Sequence, residues 1–149
     1  MNELFQGIVL GLHLMSAHIP ATSGDNNFNL GVYAKTAEGW TAGAYRNTLN
    51  RNSVYFGKTW AHGPASLTVA AVTGYQARWS PVTCESIGHP DWTDCWHQSA
   101  GSRGAVTLLV TPSLALPAIG DFTPRLSYIP KVPGLTPAHV LHFSIERPL

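Results

Sequence analysis

Charge is the scarcest commodity in this chain. Asp, Glu, Lys and Arg make up 11% of its 149 residues, less than half of the usual share. The 9 basic and 8 acidic side chains are scattered and nearly cancel, for a net charge of +1 with His neutral. No basic face is available to neutralise a phosphate backbone, which argues against nucleic acid as a partner. Long hydrophobic runs are missing as well, since no stretch approaches the roughly 18 apolar residues of a spanning helix. The opening "MNELFQGIVLGLHLMSAH" lacks the basic start of a secretory signal: it carries Glu3, and His13 interrupts the apolar run. That segment therefore reads as part of the fold. The expected location is the cytoplasm of the producing host cell, or a virion assembled there. Cysteine is limited to Cys84 and Cys95, too few for a disulfide framework.

Turn formers and short apolar segments fill the space that charge leaves. The chain has 14 glycines and 11 prolines, and 44% of it is hydrophobic. Its length suits one domain, 1–149. In "GIVLGLHLM" the even positions Ile8, Leu10, Leu12 and Leu14 are apolar, against Gly7, Val9, Gly11 and His13. Alternation with interior glycines argues strand over helix. "NLGVYAKT" and "WTAGAYRNT" form a hairpin about Ala37-Glu38-Gly39, and "SVYFGKTW" and "ASLTVAAVTGY" a second about His62-Gly63-Pro64. "GAVTLLVTPSLAL", "PRLSYIP" and "AHVLHFSIE" follow. The expected fold is all-β: an antiparallel meander of about eight strands closing into a small barrel or strongly coiled sheet. Segment 76–103 reads as one long irregular loop, packed by Trp79, Trp92 and Trp96.

The phrases "GVY", "GAY" and "SVY" repeat one unit and place Tyr33, Tyr45 and Tyr55 on a single face. Each glycine leaves room for a neighbouring tyrosine ring. This face, with Asn47, Arg51 and Ser53, is a candidate small-ligand or peptide surface. It also reads as the bonded filling of a small barrel. The opposite face is apolar. A membrane barrel shares that pattern, but spanning strands need roughly 9–11 residues. The tyrosine strands offer about three apolar outward positions each, so a soluble barrel is preferred and a membrane is not expected as a partner.

Three clusters could carry chemistry. In "HVLHFSIE", His142, Ser144 and Glu146 share a strand face, the composition of an activated nucleophile. The plainer reading is a polar strand face with Leu141, Phe143 and Ile145 filling the core. "HLMSAH" supplies His13, Ser16 and His18; closure of the meander pairs the first strand with the last and brings His13 towards His142. Cys84, His89, Cys95 and His97 lie close together, but C-x4-H-x5-C-x-H matches no common zinc spacing. No metal or other cofactor is expected. The cysteines read instead as a local bridge or a pair of thiols, with Cα atoms within about 7 Å.

The run "NLGVYAKT…WTAGAYRN…RNSVYFGKTW…VTGY", followed by "PRLSYIPK" and "HFSIE", resembles small proteins of tailed phages and prophages of proteobacteria. That resemblance covers roughly 27–75 and 105–146 and implies no activity. "HFS" at His142–Ser144 with Glu146 is similar to the outer-membrane lipid A deacylases, eight-stranded barrels with a His-x-Ser pair and a glutamate. The function expected first is a phage-type β module that binds a protein partner or self-assembles. The second is a small ester or lipid hydrolase using His142, Ser144, Glu146 and His13.

Overall fold

Alternation and turn chemistry together produce ten strands. The structure is a computed structural model that describes residues 7–21, 26–48, 50–75, 82–86, 93–97, 106–131 and 138–149. The strands are β1 (Val9–Ile19), β2 (Gly31–Lys35), β3 (Trp40–Arg46), β4 (Asn52–His62), β5 (Ala65–Val72), β6 (Val82–Ser86), β7 (Thr93–His97), β8 (Thr107–Ala115), β9 (Thr123–Ile129) and β10 (His139–Pro148). Eight of them close into an antiparallel barrel in the order β1-β10-β9-β8-β5-β4-β3-β2. The expected all-β barrel is present, and no helix occurs among the described residues.

Both expected hairpins form. Gly39 adopts φ 87° in the tight turn between β2 and β3, a left-handed conformation that glycine reaches without strain. Inside 76–103, which reads from the sequence as irregular, β6 and β7 pair as a separate two-stranded sheet. Its register sets Cys84 opposite Cys95, and opposed antiparallel residues have Cα atoms about 4.5–5.5 Å apart. Trp79, Trp92 and His89 lie outside the described residues.

The seam between β1 and β10 closes the barrel with one irregularity. His13 pairs with Ser144 and Met15 with Phe143, so Leu14 is an extra residue on β1. A bulge of this kind shifts the alternation by one. Gly11 and His13 point inward before it and Ser16 after it, while Leu10, Leu12, Met15 and Ile19 are exposed.

The two ends of the barrel differ. Connections 36–39, 63–64 and 116–122 lie at the end that also holds Val9 and Pro148. The opposite end carries 20–30, 47–51, 73–106 and 130–138, with β6 and β7 inside the third of these. Connections at one rim thus have at most seven residues, and those at the other, apart from 47–51, are longer.

Candidate functional site

The interior of the barrel is polar and its exterior apolar, the reverse of a water-soluble core. Tyr33, Tyr55, Ala70 and Val72 form the buried cluster, with Tyr45, Tyr75 and Leu109 packed against it. Around them Ser16, Asn29, Thr41, Asn47, Ser53, Thr59, Ser66, Ser127, Ser144 and Glu146 are buried. Outward stand Leu10, Leu12, Met15, Val32, Val54, Phe56, Leu67, Leu108, Val110 and Leu114, each 41–68% exposed. The reading of Leu141, Phe143 and Ile145 as core is therefore reversed. They alternate with the inward His142, Ser144 and Glu146 and lie on the outer face.

Closure brings together what the sequence holds far apart. His13 Nδ1 lies 2.8 Å from His142 Nε2, and His13 Nε2 lies 3.0 Å from the Tyr55 hydroxyl. Either the protons run from Tyr55 through His13 to His142 or the whole chain reverses; both directions use neutral imidazoles. Tyr33 and Tyr45 flank His13 at ring-centroid distances of 4.7 and 5.1 Å. Ser144 stands opposite His13 in register, yet its hydroxyl is 3.3 Å from Tyr33 Oη. Tyr33 donates to Glu146 Oε1 at 3.0 Å. The expected catalytic set thus shares one interior face, but its links run His142–His13 and Ser144–Tyr33. The chain of serine, histidine and carboxylate that would activate a nucleophile does not appear among the hydrogen bonds of these residues.

Glu146 is the buried charge at the centre of an ionic group. Lys35 Nζ donates to Oε1 at 2.8 Å, and Arg125 Nε lies 3.2 Å from the same oxygen without alignment for a hydrogen bond. Arg125 Nη1 donates to Ser66 Oγ at 2.8 Å and Ser113 Oγ at 3.0 Å. Neither Lys35 nor Arg125 was singled out by sequence reasoning. The available signal was period two: Lys35 follows Tyr33, and Arg125 precedes Ser127.

The tyrosine face is assembled as expected, except for Arg51. Tyr33, Tyr45 and Tyr55 are all interior, and Gly43 sits against Tyr33 and Tyr55. Tyr45 Oη meets Tyr75 Oη at 2.8 Å. Asn47 is fully buried and organises the turn after β3: its Nδ2 donates to Ser53 Oγ and the Gly74 carbonyl, and its Oδ1 accepts from Arg51 N. Arg51 itself is exposed in that turn. Ser16 is hydrogen-bonded to Asn29, and His18 meets Asn27 Oδ1 at 2.9 Å near the long-connection rim. Among the described residues no group of three or more His, Cys, Asp or Glu could hold a metal ion.

On the outer wall one basic side chain stands among aromatics. Lys58 lies opposite Trp40, with its ammonium 5.1 Å from the centroid of that ring. Trp40 and Phe56 stack with centroids 5.4 Å apart and planes 7° apart. At the rim beside them is a hollow of about 330 Å³ lined by Lys35–Gly39 and Thr59–Ala61. Glu38 in that turn is held below the usual carboxylate range, first by a hydrogen bond from Thr36 and further by its own backbone N–H and Lys58.

No family model matches the chain, and neither does any curated protein or solved structure. No helix among the described residues is long and apolar enough to cross a membrane, a fact that leaves strands out of account.

Proposed function

We propose that this protein is a membrane-embedded β-barrel that acts by binding, through the connections at its long rim. The carrying observation is the inversion of the barrel: tyrosines, histidines and an ion-pair group inside, a continuous apolar wall outside. A water-soluble barrel of this size gains its stability by burying the apolar face. Here apolar side chains of that face are exposed on seven of the eight strands, and the outward Leu141, Phe143 and Ile145 of β10 are half-buried; ordinary monomers leave only a patch of a few hundred Å² uncovered. Acyl chains cover such a surface evenly, whereas a protein partner covers one side of it.

Dimensions support the same reading. β1, β4, β8 and β10 have 11, 11, 9 and 10 residues, the length range of spanning strands. From Leu10 to Ile19 the chain runs about 30 Å at ~3.3 Å per residue. A tilt of roughly 40° reduces this to about 23 Å, close to the ~25 Å apolar band of such barrels. Short turns at one rim and long connections at the other are also their usual plan. Backbone pairing supports it as well, because each barrel strand has a neighbour on both sides, although the β8–β9 ladder covers only Ser113–Ala115.

The proposal replaces the expectation of a soluble barrel, which rested on the short tyrosine strands β2 and β3, and that of a cytoplasmic location, which rested on the composition of the opening segment. It keeps binding or assembly as the mode of action and assigns it to the rim that carries β6 and β7. The test is reconstitution into vesicles whose acyl chains are brominated. Trp40 and Trp60, 46% and 53% exposed on the outer wall, should lose fluorescence, measured as the difference between the parent and Trp40→Phe/Trp60→Phe. A parent that stays monomeric in water without detergent, with neither indole quenched, would overturn the reading.

A further inference from the structure

The outer wall holds one charged residue away from the strand ends among the described residues, and its position is not accidental chemistry. Lys58 alternates with Phe56 and Trp60 on the outward side of β4 and faces Trp40 across the ladder. Arg46 and Arg147, the other outward cations of the barrel strands, sit at the far ends of β3 and β10. A lysine at the middle of the apolar band is costly, and near the interface it costs almost nothing. Lys58 is level with the first residue of β3, and the Thr59 N–H reaches the carbonyl of Gly39 in the adjoining turn at 2.8 Å. It therefore marks the boundary of the band at the short-turn rim, where indoles also prefer to lie.

Two further features fall at that boundary. The hollow beside Trp60 opens between the β2–β3 turn and the end of β4. Glu38 lines it and is exposed, in the turn that leads into Trp40 opposite Lys58. A cation inside the boundary and an anion just beyond it match a headgroup of the opposite order: phosphate first, ammonium outermost. The indole of Trp40 lies level with Lys58 and that of Trp60 one step nearer the rim, so the two flank the place of the headgroup itself.

We propose that Trp40, Lys58, Trp60 and Glu38 form a site for a phospholipid with a primary-amine headgroup. Lys58 takes the phosphate, and Glu38 takes the ammonium at the mouth of the rim hollow. The primary amine follows from the carboxylate, because an ammonium offers it N–H donors that a quaternary amine lacks. This site rests on the membrane reading, and its test is separable from it.

The experiment ejects the full chain from mixed vesicles for native mass spectrometry. The vesicles carry equal amounts of phosphoethanolamine, phosphocholine and phosphoglycerol lipids of one acyl length. The phosphoethanolamine lipid should stay bound in preference to both others. Lys58→Gln and Glu38→Gln should each reduce that preference by about tenfold, the size of one charge-assisted hydrogen bond. Soluble phosphoethanolamine without acyl chains should not be retained. Equal retention of the three lipids, a phosphoglycerol preference indifferent to Glu38→Gln, or capture of the soluble headgroup alone would each overturn the site. Quenching by brominated chains, measured on the same samples, reads insertion independently. Quenching without headgroup preference sinks the site and leaves the membrane reading standing; absence of quenching sinks the membrane reading itself.

Discussion

Tyr33 packs its ring directly against Gly11, occupying the space that any side chain at position 11 would need. The two residues are paired across β1 and β2, so the contact is a cross-strand fit of ring into gap. The same fit recurs at Gly43, where a Cβ would lie 2.6 Å from Tyr55 Cε1 and 2.7 Å from Tyr33 Cβ. The repeat of small residue and tyrosine along the chain is thus the sequence form of a stacked interior.

Gly43→Ala tests this packing. The added methyl is confined between two buried rings, and overpacking of this kind costs about 1–3 kcal/mol. Urea unfolding of the reconstituted protein should show that loss. Gly120→Ala is the contrast: nothing lies within 4 Å of its Cβ, and only the strain of φ 61° is added. Equal stability of Gly43→Ala and the parent would refute the account of the repeat.

Removing the charge of Glu146 should be among the costliest changes in the barrel. Glu146→Gln leaves Lys35 and Arg125, with side chains 17% and 13% exposed, without their shared anion. Breaking one side of a buried ionic group costs about 3–5 kcal/mol. Adding Lys35→Met to Glu146→Gln should recover part of that loss, because one unpaired cation is removed. A double-mutant cycle on unfolding free energies measures the recovery, and strict additivity would count against the group.

Val32→Arg separates lipid from water at the outer wall. Val32 is 60% exposed and pairs with Leu12 and Ala44 on its two sides. Facing acyl chains, the substitution should cost about 2–4 kcal/mol. Facing water, it would stay within about 0.5 kcal/mol. Refolding yield into vesicles, followed by denaturant titration, reads the difference.

Ser144→Ala and His142→Ala bear on the hydrolase alternative. Ser144 is 3% exposed and bonded to Tyr33, while His142 is bonded to His13. Loss of the Ser144 hydroxyl should cost about 1 kcal/mol. The parent should show no turnover of short- or long-chain esters in detergent or vesicles. Ester hydrolysis abolished by Ser144→Ala would restore the catalytic reading.

The cysteines supply a last prediction. Their opposed positions in β6 and β7 lie within reach of a bridge. Mild oxidation should protect both from alkylation within a single chain. Thiols that remain fully alkylated after oxidation would mean that the hairpin register does not bring them together in solution.

Much of this molecule is determined locally. Alternation in "GVYAK", "GAYR" and "SVYFGKTW", interrupted by turn residues, dictates strands, hairpins and a common face for Tyr33, Tyr45 and Tyr55. Closure, once assumed, brings His13 to His142. Tertiary structure decided the rest. Period-two alternation defines two faces and is silent about which one turns inward; only closing the barrel fixes that, and it put Tyr, His and Glu inside. The extra residue Leu14 is invisible as well, because a bulge arises from pairing with Phe143 and Ser144 in β10. The partners of Glu146 come from β2 and β9, 111 and about twenty residues away, set by the register of four strands around the closed wall.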